Sequence, residues 1–358
     1  MPVFEVLTLA ERDQWSQYLS QLPPEQQDIY FTPEYCELFT EVSGGAARCM
    51  VFKDGDFIAL YPFHIDKVNK LGYNLDKDYY DIQGAYGYNG IVSNTDDRSF
   101  LDKLTDNWIA WCKDNNVIAE FIRYNPVLQN HNKCPWAAPV YTLENVLIPL
   151  TSFQEVWDKS FSGKVRTDIR KAIGYGLSFE IYTGAGISKD KYDKFIELYL
   201  STMARRGADN FYLFSPVFFN KLIKELKNNI YVSFAVLDGT PVTADLFLHN
   251  NINSYGFLSG SLEEYNYLRA NRFLRSEEMK FLIENKFKHY SMGGGNVNND
   301  SIFKYKKAFS IKTESKFYIG KCIHNEEVYT SVKSQWQLKY PHLFEKYNKR
   351  VLCYRDIA

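Results

Sequence analysis

An α+β fold in two domains is what the sequence predicts, and three observations predict it. The 358 residues exceed the size at which a single core usually stops growing, so two domains of about 150 residues each are expected. Tyrosine (27) and phenylalanine (26) are abundant, and many alternate with polar residues in short runs such as YVSFAV, the period of a strand. The third observation is internal similarity. CMVFKDGDFIALYPFH (49–64) and IYVSFAVLDGTPVTADLFLH (230–249) each turn at Asp-Gly, then place an alanine (Ala59, Ala244) and a histidine (His64, His249) at nearly the same distance beyond the glycine. Their offset of 184 residues is about half the chain, which suggests a duplicated unit.

Helical elements follow from period and capping. KYDKFIELYLSTMARRG places Tyr192, Phe195, Ile196, Tyr199, Leu200 and Met203 on one stripe, and Gly207 stops it. TLENVLIPL reads as a strand, and TSFQEVWDKSFSGKVRTDIRKAIGYG as two short helices closed by Gly174 and Gly176. After residue 299, Asp300 or Ser301 caps a helical turn carrying Ile302, Tyr305 and Phe309 on one face.

Composition bounds the function. Lysine plus arginine (42) nearly balance aspartate plus glutamate (43), so no global basic field supports wrapping a nucleic acid, and any polyanion site is local. The six cysteines form no CxxC pair and have no histidine at metal spacing; free thiols in a reducing cytoplasm, and no metal, are expected. No window approaches ~18 uninterrupted apolar residues, and MPVFEVLTLAERDQW lacks the apolar core of a secretory signal. The expected location is therefore cytoplasmic, without a transmembrane segment.

YSMGGGNVNNDSIFKYKKAF (290–309) is the most suggestive stretch. Its glycines match neither the Walker loop nor the dinucleotide fingerprint. Gly293, Gly294 and Gly295 mark either a structural turn or a strand end where the backbone must approach something closely. Lys306, between Tyr305 and Phe309, is suited to meet an oxyanion or phosphate, with a solvated charged face as the alternative. In KVRTDIRKAIGYG, Arg166 and Arg170 stand four apart beside an apolar face; with Arg206 they form either a phosphate grip or an ordinary basic surface.

Taken in order, FTPEYCELF, IALYPFH, YGYNGIV, FIRYNPV, VRTDIRKAIGYG, PVTADLFL, SYGFLSGS, LRANRFLRSEEMKF, YSMGGG and IFKYKKAF resemble the Fem-like branch of the GNAT superfamily, the double-domain acyl and aminoacyl transferases of cell-envelope biosynthesis. The resemblance implies two tandem GNAT-like domains, each a twisted mixed sheet flanked by helices, at 1–148 and 149–320, with a tail, 321–358, packing back on the first. It implies transfer of an acyl or aminoacyl group to an amine of a saccharide or peptidoglycan precursor, or else a non-catalytic member that binds a glycan precursor or a biosynthetic partner. Acyl-CoA or aminoacyl-tRNA would be the donor. The acceptor would be a nucleotide- or lipid-linked saccharide or peptide precursor, with peripheral membrane association for the latter. Lys306 falls on the lysine of the family's aromatic-Lys-x-x-Phe pattern, Asp245 on its strand acid and Tyr255 on the aromatic before Leu-Ser-Gly-Ser. Asp245 beside Tyr255 would be the base that removes the amine proton, Lys306 the oxyanion's cation, and Arg166, Arg170, Arg206, Tyr305, Phe309 and the three glycines the substrate's surroundings. Two family features are missing: the helical hairpin that engages tRNA, and the glycine-rich pyrophosphate loop, whose place LRANRFLRSE takes.

Overall fold

A computed structural model describes residues 2–357. The chain forms two compact units, Met1–Thr142 together with Phe317–Ala358, and Leu143–Lys316.

The first unit contains β1 (Val3–Thr8), β2 (Ala46–Asp54), β3 (Phe57–Lys67), β4 (Tyr80–Gln83), β5 (Val92–Ser93) and β6 (Val117–Arg123). The second contains most of β7 (Val140–Pro149), then β8 (Ser178–Thr183), β9 (Ile230–Leu237), β10 (Thr240–His249), β11 (Asn253–Ser261) and β12 (His289–Gly294). With β13 (Ser315–Ile323) the chain enters the first unit again. The first unit's strands run in the order β1-β2-β3-β4-β6-β13, with β5 paired to β3. Among the described strands there, β4 and β6 are the parallel neighbours. The second runs β8-β9-β10-β11-β12-β7, with β11 and β12 its one parallel pair. Order and direction repeat strand for strand, so the repeated Asp-Gly hairpin is β2-β3 in one unit and β9-β10 in the other.

Local chemistry explains both hairpins and their histidines. Asp238 and Gly239 both take positive φ (48° and 80°), the mirror-image turn whose twist suits paired strands, while in the first hairpin Gly55 does so at 62°. Both histidines end up inside. His64 contacts Ser43 Oγ at 2.6 Å through Nδ1 and the Cys36 carbonyl at 2.9 Å through Nε2. His249 stacks on Tyr231, and its Nδ1 accepts from the Asn251 amide at 3.3 Å. Burial lowers both imidazoles to about 4, so they are neutral packing residues.

The strands of each unit are covered on their faces by helices. In the first unit the Arg98–Asp114 helix buries Phe100, Leu101, Leu104 and Trp108, and the Glu326–Lys339 helix buries Tyr329, Val332 and Trp336. In the second, the Ala270–Glu284 and Lys189–Arg205 helices lie on opposite faces. Ser259 Oγ accepts from Arg275 of the first helix at 2.7 Å, whereas a Cβ on its neighbour Gly260 would stand 2.4 Å from the Tyr199 amide of the second. The Lys189–Arg205 helix buries Tyr192, Phe195, Leu198, Tyr199 and Thr202. Of the expected stripe, Tyr192, Phe195 and Tyr199 are buried and Ile196, Leu200 and Met203 half-buried, while Leu198 and Thr202 are buried beside it.

Candidate functional site

Strand β12 ends where the glycines begin. Gly293 takes φ +71°, and a Cβ there would lie 3.5 Å from Lys306 Nζ. At Gly294 a Cβ would stand 2.8 Å from the Glu144 carbonyl oxygen, so the bare backbone is what lets β7 pair closely at this point. The third glycine has another role. A Cβ on Gly295 would overlap the Asp300 carboxylate, which accepts from the Asn296, Val297 and Phe303 amides and caps the Ser301–Lys307 helix. Gly295 therefore serves the cap rather than a substrate.

That capped helix aims Lys306 back over the strand end, where Nζ donates to the Gly294 carbonyl at 2.8 Å. Burial, with the charge of Arg275 adding to it and Asp300 opposing, lowers the ammonium to about 8. Lys304, two residues earlier, is exposed. Tyr305 packs edge-on against Phe309 and lies beneath the guanidinium of Arg272, 5.8 Å from ring centre to Cζ. Burial is the main reason its phenol is raised. Phe309 is 0% exposed and packs edge-on against Phe161, so it supports Tyr305 from the core and does not meet a substrate.

The expected partnership of Asp245 and Tyr255 is not formed. A bulge between Leu246 and Phe247 places one extra residue on β11, so Asp245 pairs with Ser259 and Tyr255 with Leu248. Gly256 faces Arg275, 3.3 Å from its Nη1 to an added Cβ, so the preceding residue, Tyr255, projects to the other face and is buried there. Asp245 is not a free base either, because Arg275 Nε lies 3.1 Å from its Oδ2 with both side chains nearly covered.

Arg275 is the hub that the motif comparison passed over. Besides Asp245 it contacts Glu278 Oε2 at 3.2 Å, donates to Ser259 Oγ at 2.7 Å and touches the Tyr290 hydroxyl. Glu278 is closed on its other side by Ser233 Oγ (2.5 Å) and by the Tyr290 hydroxyl (2.9 Å). Burial raises Glu278 to about 8, while Arg275 pulls in the opposite direction. One turn away, Arg272 reaches Asp168 Oδ2 at 3.0 Å. The signal was in LRANRFLRSEEMKF: Arg272, Arg275 and Glu278 recur every three residues along a helix that also buries Phe273, Leu274 and Met279. Charges on a buried helix face require partners.

The arginines expected to grip phosphate do not converge. Arg166 Nη1 donates to the carbonyls of Trp157, Asp158 and Phe161 at 2.9–3.2 Å and so closes the wide turn Val156–Ser160. Arg170 is exposed with its guanidinium 5.3 Å from the centre of the Trp157 ring. Arg206 is exposed at the end of the Lys189–Arg205 helix, on the sheet face opposite Arg275. What converges is Lys306, Tyr305, Arg272 and Arg275 around the Gly293–Gly294 strand end, a cationic and aromatic corner able to stabilise an anion.

Among the described residues no three His, Cys, Asp or Glu side chains could hold a metal ion, and no helix is long and apolar enough to cross a membrane. Among solved structures, the crystal structure of FemX is similar with a TM-score of 0.64 at 16% identity, covering 92% of this chain and 99% of that one. The C-terminal domain of a putative lysylphosphatidylglycerol synthetase from Agrobacterium fabrum gives a TM-score of 0.55 at 12% identity, covering 94% and 98%. At such identities the likeness is one of fold. No curated protein matches the sequence. A family model described as peptidoglycan biosynthesis/recognition, FemAB_like, matches residues 127–317, more than half of the chain. The Lys306 corner and the helix bearing Arg275 both lie inside the matched stretch, and the chain belongs to the FemAB_like family.

Proposed function

We propose that this protein is an acyltransferase that moves an acyl or aminoacyl group onto an amine of a cell-envelope saccharide or peptidoglycan precursor. The observation that carries the reading is Lys306, held 2.8 Å from the Gly294 carbonyl above a strand end without side chains, with its ammonium lowered to about 8. A cation fixed in advance over an open backbone is what a developing oxyanion needs. The acceptor amine attacks the donor carbonyl, and a C–N bond forms as the C–O bond of an aminoacyl ester or the C–S bond of a thioester breaks. Lys306 stabilises the oxyanion in between. With Asp245 tied to Arg275, the amine's proton leaves on the departing oxygen or sulfur. Arg272 and Arg275 lie on the same corner with their charges met by Asp168 and Asp245, so the oxyanion role falls on Lys306.

Aminoacyl-tRNA and acyl-CoA are the two donors compatible with this chemistry, and a nucleotide- or lipid-linked precursor is the acceptor class that the family supports. A lipid-linked acceptor would be met at the cytoplasmic membrane surface. The closed Asp245–Arg275 pair favours a second reading, a member that binds such a precursor without turning it over. Mass spectrometry separates the two after incubation of the protein with acyl-CoAs and charged tRNAs beside nucleotide- and lipid-linked amino sugars and peptides. A gain of one acyl or aminoacyl mass on an acceptor, absent with Lys306→Met, supports transfer. Acceptor binding without any mass gain supports the second reading.

A further inference from the structure

A second buried polar cluster lies in the first unit and has no part in the transfer chemistry. Glu120 of β6 is 0% exposed and accepts four hydrogen bonds: from the Tyr61 hydroxyl at 2.6 Å, Trp108 Nε1 at 3.2 Å, Trp136 Nε1 at 3.1 Å and His324 Nε2 at 2.9 Å. His324 follows β13 directly, and its amide donates to the Ile118 carbonyl at 2.9 Å, so the ring is fixed from both ends. The free edge of the imidazole faces sulfur. Nδ1 lies 3.9 Å from Cys322 Sγ, and Cys112 of the Arg98–Asp114 helix borders the same ring. Burial pulls the imidazole down, but its contacts with the two thiols and with Glu120 outweigh this and push it up to about 12.

The ring is held between the buried Glu120 carboxylate and the Cys322 sulfur, and the protonated form that this pairing favours stabilises negative charge as it develops on sulfur. The six cysteines differ in access. Cys36, Cys49, Cys112, Cys134 and Cys353 are buried and only Cys322 is half-buried. The thiol of Cys112 is pushed up to about 12 by burial, so it is a poor first nucleophile.

We propose that Cys322 is an oxidation site and Cys112 its resolving partner at the same edge of the His324 ring. The Cys322 sulfur attacks the outer oxygen of a hydroperoxide. The O–O bond breaks, the alcohol or water departs with the thiol proton, and Cys322 becomes a sulfenic acid, oxidised by two electrons. Cys112 sulfur then attacks Cys322 sulfur, the S–O bond breaks, and water leaves with the Cys112 proton. The resulting disulfide ties the Arg98–Asp114 helix to β13, and so the end of the chain to its N-terminal part within one unit.

The test uses the full-length reduced protein and hydrogen peroxide in small excess, quenched with iodoacetamide and mapped by peptide mass spectrometry. Cys322 should be oxidised at least about tenfold faster than the buried Cys36, Cys49, Cys134 and Cys353. A Cys112–Cys322 peptide should follow. With Cys112→Ala and dimedone present, the disulfide disappears and the dimedone adduct accumulates on Cys322. His324→Gln that remains folded should slow the first step by a similar factor. Oxidation of Cys322 at the rate of the buried cysteines, a disulfide joining two chains instead, or an unchanged rate in folded His324→Gln overturns the proposal. If His324→Gln does not fold, the comparison of wild type with Cys112→Ala decides.

Discussion

Lys306 and Lys304 stand two residues apart in one short helix, and only the direction of the side chain separates them. Lys306 turns inward to the Gly294 carbonyl; Lys304 is exposed. Loss of one preorganised oxyanion partner typically lowers kcat by about 10²–10³, so Lys306→Met should fall in that range in a product assay while Lys304→Met stays close to wild type. Equal losses would remove Lys306 from its role. A pH dependence follows from the same residue. Its folded value of about 8 lies below the ordinary 10.5, so the cation that the mechanism needs is lost on the alkaline side. kcat/KM should therefore fall as pH rises through about 8, and this alkaline limb should vanish in Lys306→Met. Sequence pattern identified Lys306, Tyr305 and the glycines as belonging together. It did not reveal that Gly295 serves the Asp300 cap or that Phe309 is core, because those roles depend on which atoms lie within 4 Å.

Among elements, the end of β12 and the turn Val156–Ser160 each depend on one residue. Gly294→Ala would put a methyl 2.8 Å from the Glu144 carbonyl oxygen, a backbone atom that cannot step aside without moving β7. A loss of about 1–3 kcal/mol is expected, read as a shift in the urea midpoint, with activity reduced because the same strand end carries the Lys306 contact. Arg166→Met tests the correction made above. Since its guanidinium serves three backbone carbonyls, the variant should lower Tm yet leave KM for a phosphorylated acceptor and its salt dependence unchanged. A raised KM with unaltered Tm would restore the phosphate grip. From sequence, Arg166 and Arg170 could be aligned on one helix face, but the carbonyls that occupy Arg166 come from the turn before that helix. Likewise, it was the family resemblance that set Asp245 beside Tyr255. A single bulge reversed the facing of Tyr255, and bulges leave little trace in an apolar strand.

For the whole molecule, the notable device is how the first unit holds the end of the chain. Arg355 makes a bidentate contact with Asp81 at 2.7–2.9 Å and reaches Asp66 at 2.9 Å, while the Tyr73 hydroxyl donates to the Tyr354 carbonyl at 2.6 Å. Asp81 is 1% exposed, and burial raises its carboxyl despite the guanidinium beside it. Arg355→Met leaves that acid unpaired, and breaking a buried pair from one side costs about 3–5 kcal/mol. The sign with pH is set by Asp81: a carboxyl raised above its unfolded value of 3.8 contributes stability at low pH that is lost as pH rises through the folded value. The deficit of Arg355→Met in chemical denaturation should therefore be larger at pH 7 than at pH 4, and an equal deficit at both would show that Asp81 is not the source.

The sequence by itself determined the α+β class, the repeated hairpin and the glycine-lysine-aromatic stretch, because period, turn chemistry and charge balance are local or additive properties of a chain. Tertiary structure alone decided what each charge faces. Arg275 could be read only as one arginine in a helix until β10, β11 and β12 brought Asp245, Ser259 and Tyr290 around it. Glu120 and His324, 204 residues apart, meet only because β13 pairs beside β6. Charge pairing in a core is set by contacts distant in sequence, and the energy that selects them, the cost of leaving a buried charge alone, arises only once water has been excluded.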